Sequence, residues 1–214
     1  MKTPAQTHLE LVLQALKQLG VLLETDQKLP SVSGLVAGEA MRGSWWAHLR
    51  AREIFAVLQQ LADHKQVLIT KLISGKVTFV HRRLWPDVVS IGTAREAWQM
   101  QALTPAPRML LKLIDLHGEL RSDRLEWPAK FKSEKAGPAV RELEKRLLIH
   151  SEEFHTESGA HAKLLESWEH WAKRIGFTHE IVPVAEARRK LETTVRVLNE
   201  RCGASAKLPW AKTA

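Results

Sequence analysis

Apolar residues along the chain fall into two successive sets that share one order of spacings. In the first, Leu9, Val12, Leu13 and Leu16 recur at helical intervals and stop at Gly20. Thr3-Pro4-Ala5 stands just ahead of them as an N-cap with proline at the first helical position. In the second, Thr104-Pro105-Ala106 leads into Leu110, Leu113, Ile114 and His117, with Gly118 as the stop. Each set later closes on a hairpin. Val67–Arg83 makes two β-rich runs around Ser74-Gly75, and Leu148–Lys163 turns near Ser158-Gly159.

The middle of each half is less regular. Pro30 and Gly34 break the stretch after the first helix, and a short helix is predicted around Ser31–Ala37. A third helix follows from Ser44 to about Ala62. At 100° steps its core side holds Ala47, Ala51, Ile54, Phe55, Leu58 and Leu61, while His48, Arg52, Ala56 and Gln59 fall opposite. In the second half, Gly118–Leu125 reads as a short strand running into a Ser122-capped helix. Lys135-Ala-Gly-Pro then starts a third helix with Ala139, Val140, Leu143 and Leu147 on one face. Leu164, Leu165, Trp168, Trp171, Ala172 and Ile175 return to helical spacing and pack that half shut.

Two further helices complete the outline. Trp85-Pro86-Asp87 starts one, weakened by Gly92, that ends before Thr104. Pro183 opens another, with Val184, Ala187, Leu191, Val195 and Leu198 on one stripe and Gly203 as its end. The predicted class is mainly α with small β-hairpins (α+β). Its predicted organisation is a module over 1–102, a second over 103–180, a C-terminal helix over 181–203 and a flexible tail over 204–214.

Composition narrows the function classes. The 214 residues are 44% hydrophobic, enough for each module to bury a core, and no apolar run is long enough for a membrane span. The N-terminus lacks the pattern of a secretory signal. Cys202 is the single cysteine, which rules out an intrachain disulfide and suits a reducing, cytoplasmic compartment, at the nucleoid if the source is bacterial. Net charge is +8 and unevenly placed. Residues 1–102 carry 12 Lys/Arg against 8 Asp/Glu, residues 103–180 carry 13 against 13, and residues 181–214 carry 7 against 3. The positive field therefore belongs to the first module and the C-terminal segment, and a field of that sign attracts polyanions.

The candidate chemistry lies where this charge concentrates: residues 39–85 hold 8 Lys/Arg against 3 Asp/Glu. His48, Arg50, Arg52 and Gln59 on or beside the third helix are residue types that read base edges, Arg pairing with guanine and Gln with adenine. Lys71, Lys76, His81, Arg82 and Arg83 along the hairpin suit phosphates. A solvated helix face and a lysine-guarded sheet edge are the structural alternatives. Trp45-Trp46 is a core plug, or a stacking platform for an unpaired base if one ring faces outward. The second module carries Glu152, Glu153 and Glu157 on its hairpin, an acidic feature that repels DNA and suits a protein partner or a homodimer through residues 103–203. His150, Glu152, His155, Glu157 and His161 are metal-ligand types, yet His150 and Glu152 share a strand face from which His155 points away. No catalytic residue, metal or cofactor is assigned.

Helix, short strand, helices and a hairpin in that order resemble a winged helix, and the chain resembles two in tandem over about residues 5–175. The resemblance implies a non-enzymatic protein that contacts double-stranded DNA through the third helix and basic wing of its first module. The run Glu142–His150 also resembles winged-helix DNA glycosylases that unhook crosslinks, although their glutamine-containing catalytic motif has no counterpart here. Chromosome-segregation scaffolds resemble the same plan and imply a protein–protein alternative.

Overall fold

The computed structural model describes residues 4–178, 180 and 182–211, so the Thr3 cap lies outside the described residues. The chain divides into two compact units. One runs to Trp85 and also takes in Arg188–Ala211; the other begins at Pro86 and ends at Ala187 among the described residues. The boundary thus falls earlier than 102. Trp85 stays with the first unit because its indole donates to the Val80 carbonyl at 3.0 Å, with the Arg82 guanidinium over its ring.

The first unit contains α1 (Pro4–Leu19), β1 (Val21–Leu23), α2 (Val32–Ala37), α3 (Ala51–Ala62), β2 (Val67–Ile73) and β3 (Lys76–His81). Val12 and Leu16 of α1 are buried against Val32 and Val36 of α2 and against Ile54, Val57 and Leu61 of α3. Ser31 caps α2 by accepting from the Gly34 N–H at 3.2 Å. The three strands form an antiparallel sheet in the order β1-β3-β2, with Val21 opposite Val80 and Leu68 opposite the same residue on the other side. The hairpin turns on Ser74 and Gly75, both at positive φ (52° and 67°), as a tight two-residue turn requires.

Two expectations change here. Helix α3 starts at Ala51 rather than Ser44, because Trp45–Ala47 is a 3-10 turn followed by a bend. Projecting one helical wheel through that break rotates the faces wrongly. Ala47 is exposed, Phe55 is 40% exposed and Val57 is buried instead. The tail is also packed. Asn199 clamps Ala206 by two 2.9 Å bonds, Leu208 and Trp210 are buried, and the Trp210 indole donates to Glu192 at 2.7 Å. This segment follows the helix Val184–Cys202, whose Ala187, Leu191, Val195 and Leu198 are buried as their stripe predicts.

Continuing the numbering, the second unit has α4 (Trp85–Thr93, its first residue belonging to the other unit), α5 (Ala97–Met100), α6 (Pro105–His117), β4 (Glu119–Arg121), α7 (Ala136–Lys145), β5 (His150–His155), β6 (His161–Glu166) and α8 (Trp168–Arg174). The helix Val184–Cys202 is α9. Sheet order is β4-β6-β5, the same arrangement as in the first unit. No α-helix follows Ser122. Two 3-10 turns occupy Ser122–Arg124 and Ala129–Phe131, and the Ser122 hydroxyl accepts from the Lys163 N–H at 2.8 Å rather than capping a helix. The fold is α+β, with helices and two small antiparallel sheets. No described helix is long and apolar enough to cross a membrane.

Gly92 of α4, which reads from sequence as a weak point, is a contact. A Cβ there would overlap Cδ1 and Nε1 of Trp168, a buried indole held by its 2.7 Å bond to the Leu147 carbonyl. Helix propensity favours alanine over glycine by about 1 kcal/mol, but overpacking opposes it by roughly 1–3 kcal/mol. Gly92→Ala is therefore expected to lower stability in urea denaturation; an unchanged or raised midpoint would contradict the packing described.

Candidate nucleic-acid interface

The basic residues of the first unit divide into those that the fold uses and those it leaves to solvent. Arg50 precedes α3 and donates from Nη1 to the Val36 carbonyl at 2.9 Å, at the C-terminal end of α2. Arg83 donates to the Gln18 carbonyl at 3.0 Å, at the C-terminal end of α1, and Arg82 to the Lys65 carbonyl at 3.2 Å. These guanidinium groups satisfy carbonyls that a helix end or turn leaves open, where positive charge is favoured. Lys76 is paired with Asp26 at 2.6 Å. Burial on its own raises the Asp26 carboxyl, but hydrogen bonds from Lys76 and from the Leu29 and Lys28 N–H groups lower it overall. Lys71 is half-buried on β2.

His48 and His81 are not free cations either. His48 lies before α3, its Nε2 3.0 Å from Glu39 and its Nδ1 accepting from the Arg50 N–H. Burial, followed by the nearby charges of Arg83, Lys17 and His64, lowers the His81 pKa and favours neutral imidazole. The hairpin tip is covered as well: the Ser74 N–H donates to the Lys207 carbonyl at 2.7 Å and the Lys207 N–H to the Ser74 hydroxyl at 3.1 Å. Lys76, Arg82 and Arg83 of the expected strip each make a contact within the fold while remaining exposed.

What remains open is the outer face of α3. Arg52 and Gln59 are exposed, and their side chains make no hydrogen bond or ion pair among the described residues. Phe55 lies between them at helical spacing, 5.8 Å from the ring of Trp46. Trp46 is 65% exposed and Leu49 fully so. Of the nearby carboxylates, Glu39 Oε1 lies 3.0 Å from His48 Nε2, and Glu53 Oε2 lies 3.3 Å from His8 Nδ1 without a hydrogen bond between them. Sequence reasoning found Arg52 and Gln59 but placed Phe55 in the core. No local spacing signals this, because the 3-10 turn at Trp45–Ala47 shifts the helical phase ahead of α3.

The chain matches the model of the AlkZ-related family over residues 7–206. It belongs to that family. No curated protein and no solved structure gives a significant match. In this AlkZ-related chain Gln99 is the buried glutamine among the described residues, and its amide is engaged at both ends. Its Oε1 accepts from the Glu96 N–H at 2.8 Å and its Nε2 donates to the Arg146 carbonyl at 3.0 Å.

The second unit of the AlkZ-related chain contains the densest ionisable cluster. Glu119, Glu166 and His170 bring ligand atoms within 4.8 Å of one another. A guanidinium already holds the central carboxylate: Arg174 donates from Nε to Glu166 Oε1 at 2.8 Å and from Nη2 to Oε2 at 2.7 Å. His170 Nδ1 lies 3.0 Å from Oε1, and the buried His150 lies 3.5 Å from Oε2. The hairpin's His/Glu set is dispersed accordingly. Glu152 turns to Arg174 at 2.9 Å, and His155 faces His161 across the strands.

Glu166 is fully buried, and burial on its own raises its pKa. The nearby His150, together with hydrogen bonds from Arg174 and His170, outweighs that and brings it from an ordinary 4.5 down to about 2, while Arg174 is raised in turn. The folded carboxyl titrates below the unfolded one. Its contribution is therefore complete above about pH 4.5 and fades as pH falls toward about 2, on the order of 3 kcal/mol in all. Glu166→Gln is expected to melt lower than the parent at pH 7 and to show a flatter loss of Tm between pH 5 and pH 3. Parallel Tm–pH curves for the two proteins would refute this.

Proposed function

We propose that the chain is a DNA-binding protein whose two units are winged helices, and that its first unit contacts duplex through the outer face of α3. The carrying observation is the exposed Arg52–Gln59 face, whose side chains make no hydrogen bond or ion pair among the described residues, in a chain of net charge +8. Arg and Gln at this spacing have the donors and acceptors that major-groove edges present, and a helix followed by a hairpin is the order in which a winged helix offers them. Membership in the AlkZ-related family, a name linked to DNA repair, supports a DNA-associated role. This reading carries with it a cytoplasmic location, at the nucleoid if the source is bacterial.

The same reading makes the chain a binder rather than a catalyst. Glu39, near the exposed basic face, contacts His48, and the buried Gln99 amide is engaged in the fold. The second unit supplies a surface for a protein partner or a second copy. Two of its three hairpin acids have basic partners within the unit, Glu152 in Arg174 and Glu153 in Lys163 at 3.5 Å.

The wing contributes less to binding than its composition predicts, and this gives the test its control. On non-specific duplex, where no cognate base is offered, Arg52 faces the phosphates, so Arg52→Ala is expected to weaken binding to random-sequence duplex and to reduce the slope of log K against log salt by about 0.9, one phosphate's worth. Arg83→Ala is expected to leave that slope unchanged and to lower Tm through loss of the Gln18 bond. An Arg52→Ala slope equal to the parent's overturns the assignment of α3. Failure of the parent to bind heparin or duplex at low salt favours the protein-scaffold alternative.

A further inference from the structure

We propose that Trp46, stacked on Trp45, is a platform for an unpaired base of the DNA that the first unit binds. This deepens the reading above and rests on it. Trp45 is 5% exposed, and its indole N–H donates to Glu24 Oε1 at 2.9 Å, so both its position and its plane are held. Trp46 lies on it with ring centroids 4.1 Å apart and planes within 24°. The lower ring belongs to the core and the upper ring is 65% exposed. A large aromatic side chain normally loses its surface to the core on folding. Here the core supplies only the underside of the stack, and the ring above is presented already oriented.

A nucleobase completes such a stack as a further flat ring. Every base has a π-face, so the contact tolerates sequence. Bases inside a perfect duplex already have neighbours on both faces, whereas an unpaired base has a face to offer. The surroundings suit the phosphates on either side of it. Phe55 lies 5.8 Å from Trp46 and leads along α3 to Arg52 three residues before it, while Arg42 is exposed just ahead of the tryptophans. The adjacent carboxylates Glu39 and Glu53 face His48 and His8. An apolar patch flanked by the exposed Arg42 and Arg52 is complementary to a polyanion that carries flat rings.

The test uses the full chain and fluorescence anisotropy at one salt concentration, with three labelled probes: a perfect duplex, the same duplex with one bulged thymidine, and an oligo-dT single strand. The parent is expected to bind the bulged duplex more tightly than the perfect one. Trp46→Ala is expected to weaken the bulged and single-stranded probes about 10-fold or more while leaving the perfect duplex within about twofold, and Trp46→Phe to retain most of the binding. The ring is exposed, so an unchanged Tm is expected for both variants and checks that they fold. If Trp46→Ala weakens all three probes equally, or none, the platform is overturned while duplex binding by α3 stands. If the parent binds no probe, both readings fall. Dimers in the parent that Trp46→Ala turns into monomers, without any effect on the probes, assign the face to a second copy of the chain and overturn the platform.

Discussion

Each unit is closed by a pairing between its shortest strand and its last one. Three residues after the first helix, Val21–Leu23 or Glu119–Arg121, take the return strand of the hairpin as their antiparallel partner. Without that pairing the hairpin would be a two-stranded ribbon, which is marginal on its own in water. With it, the hairpin is tied across the helices that precede it, and the third helix keeps one face for the core and one for solvent. The buried side of β1, exposed by only 1% at each residue, shows how completely the first unit relies on this link.

Much of the basic surplus serves the backbone. Arg50, Arg82, Arg83 and Arg146 each donate to main-chain carbonyls, Arg146 to three of them around the end of α5. Arginine suits this work because its planar fork reaches several acceptors at once while the charge favours a helix C-terminus. Such a bond orients the guanidinium and leaves its charge in place, since Arg50, Arg82 and Arg83 all remain exposed. In the first unit the distinction lies between guanidinium groups that spend a donor on a carbonyl and the one on α3 that spends none among the described residues.

Periodicity made much of this arrangement legible. The stripes of α1 and α9, the Ser74-Gly75 turn and the hairpin order follow from spacing and turn chemistry, and the structure shows them, whereas on α6 Leu111 joins Leu110 and Ile114 in the core and His117 is exposed. Three features were not legible, for separate physical reasons. The 3-10 turn at Trp45–Ala47 breaks the helical phase, so a wheel drawn from Ser44 mislabels Ala47 and Phe55. The capture of Ser122 by Lys163 joins positions far apart in sequence, where local capping signals have no reach. The tail owes its order to Leu208 and Trp210, two large apolar residues in a segment whose small and charged residues otherwise read as solvated. At the candidate interface, Arg52 and Gln59 were identifiable by type and position, while the engagement of the hairpin cations depends on carbonyls and carboxylates that no linear pattern places beside them.

The inclusion of Arg188–Ala211 in the first unit bears on the order of events during synthesis. The ribosome makes the stretch from Pro86 to Ala187 before it makes the segment that lies on Ser74 and carries Trp210. Domains generally fold as they emerge. Here the half that begins first must wait for its final piece, with its hairpin tip uncovered, until the half that begins later has been fully translated.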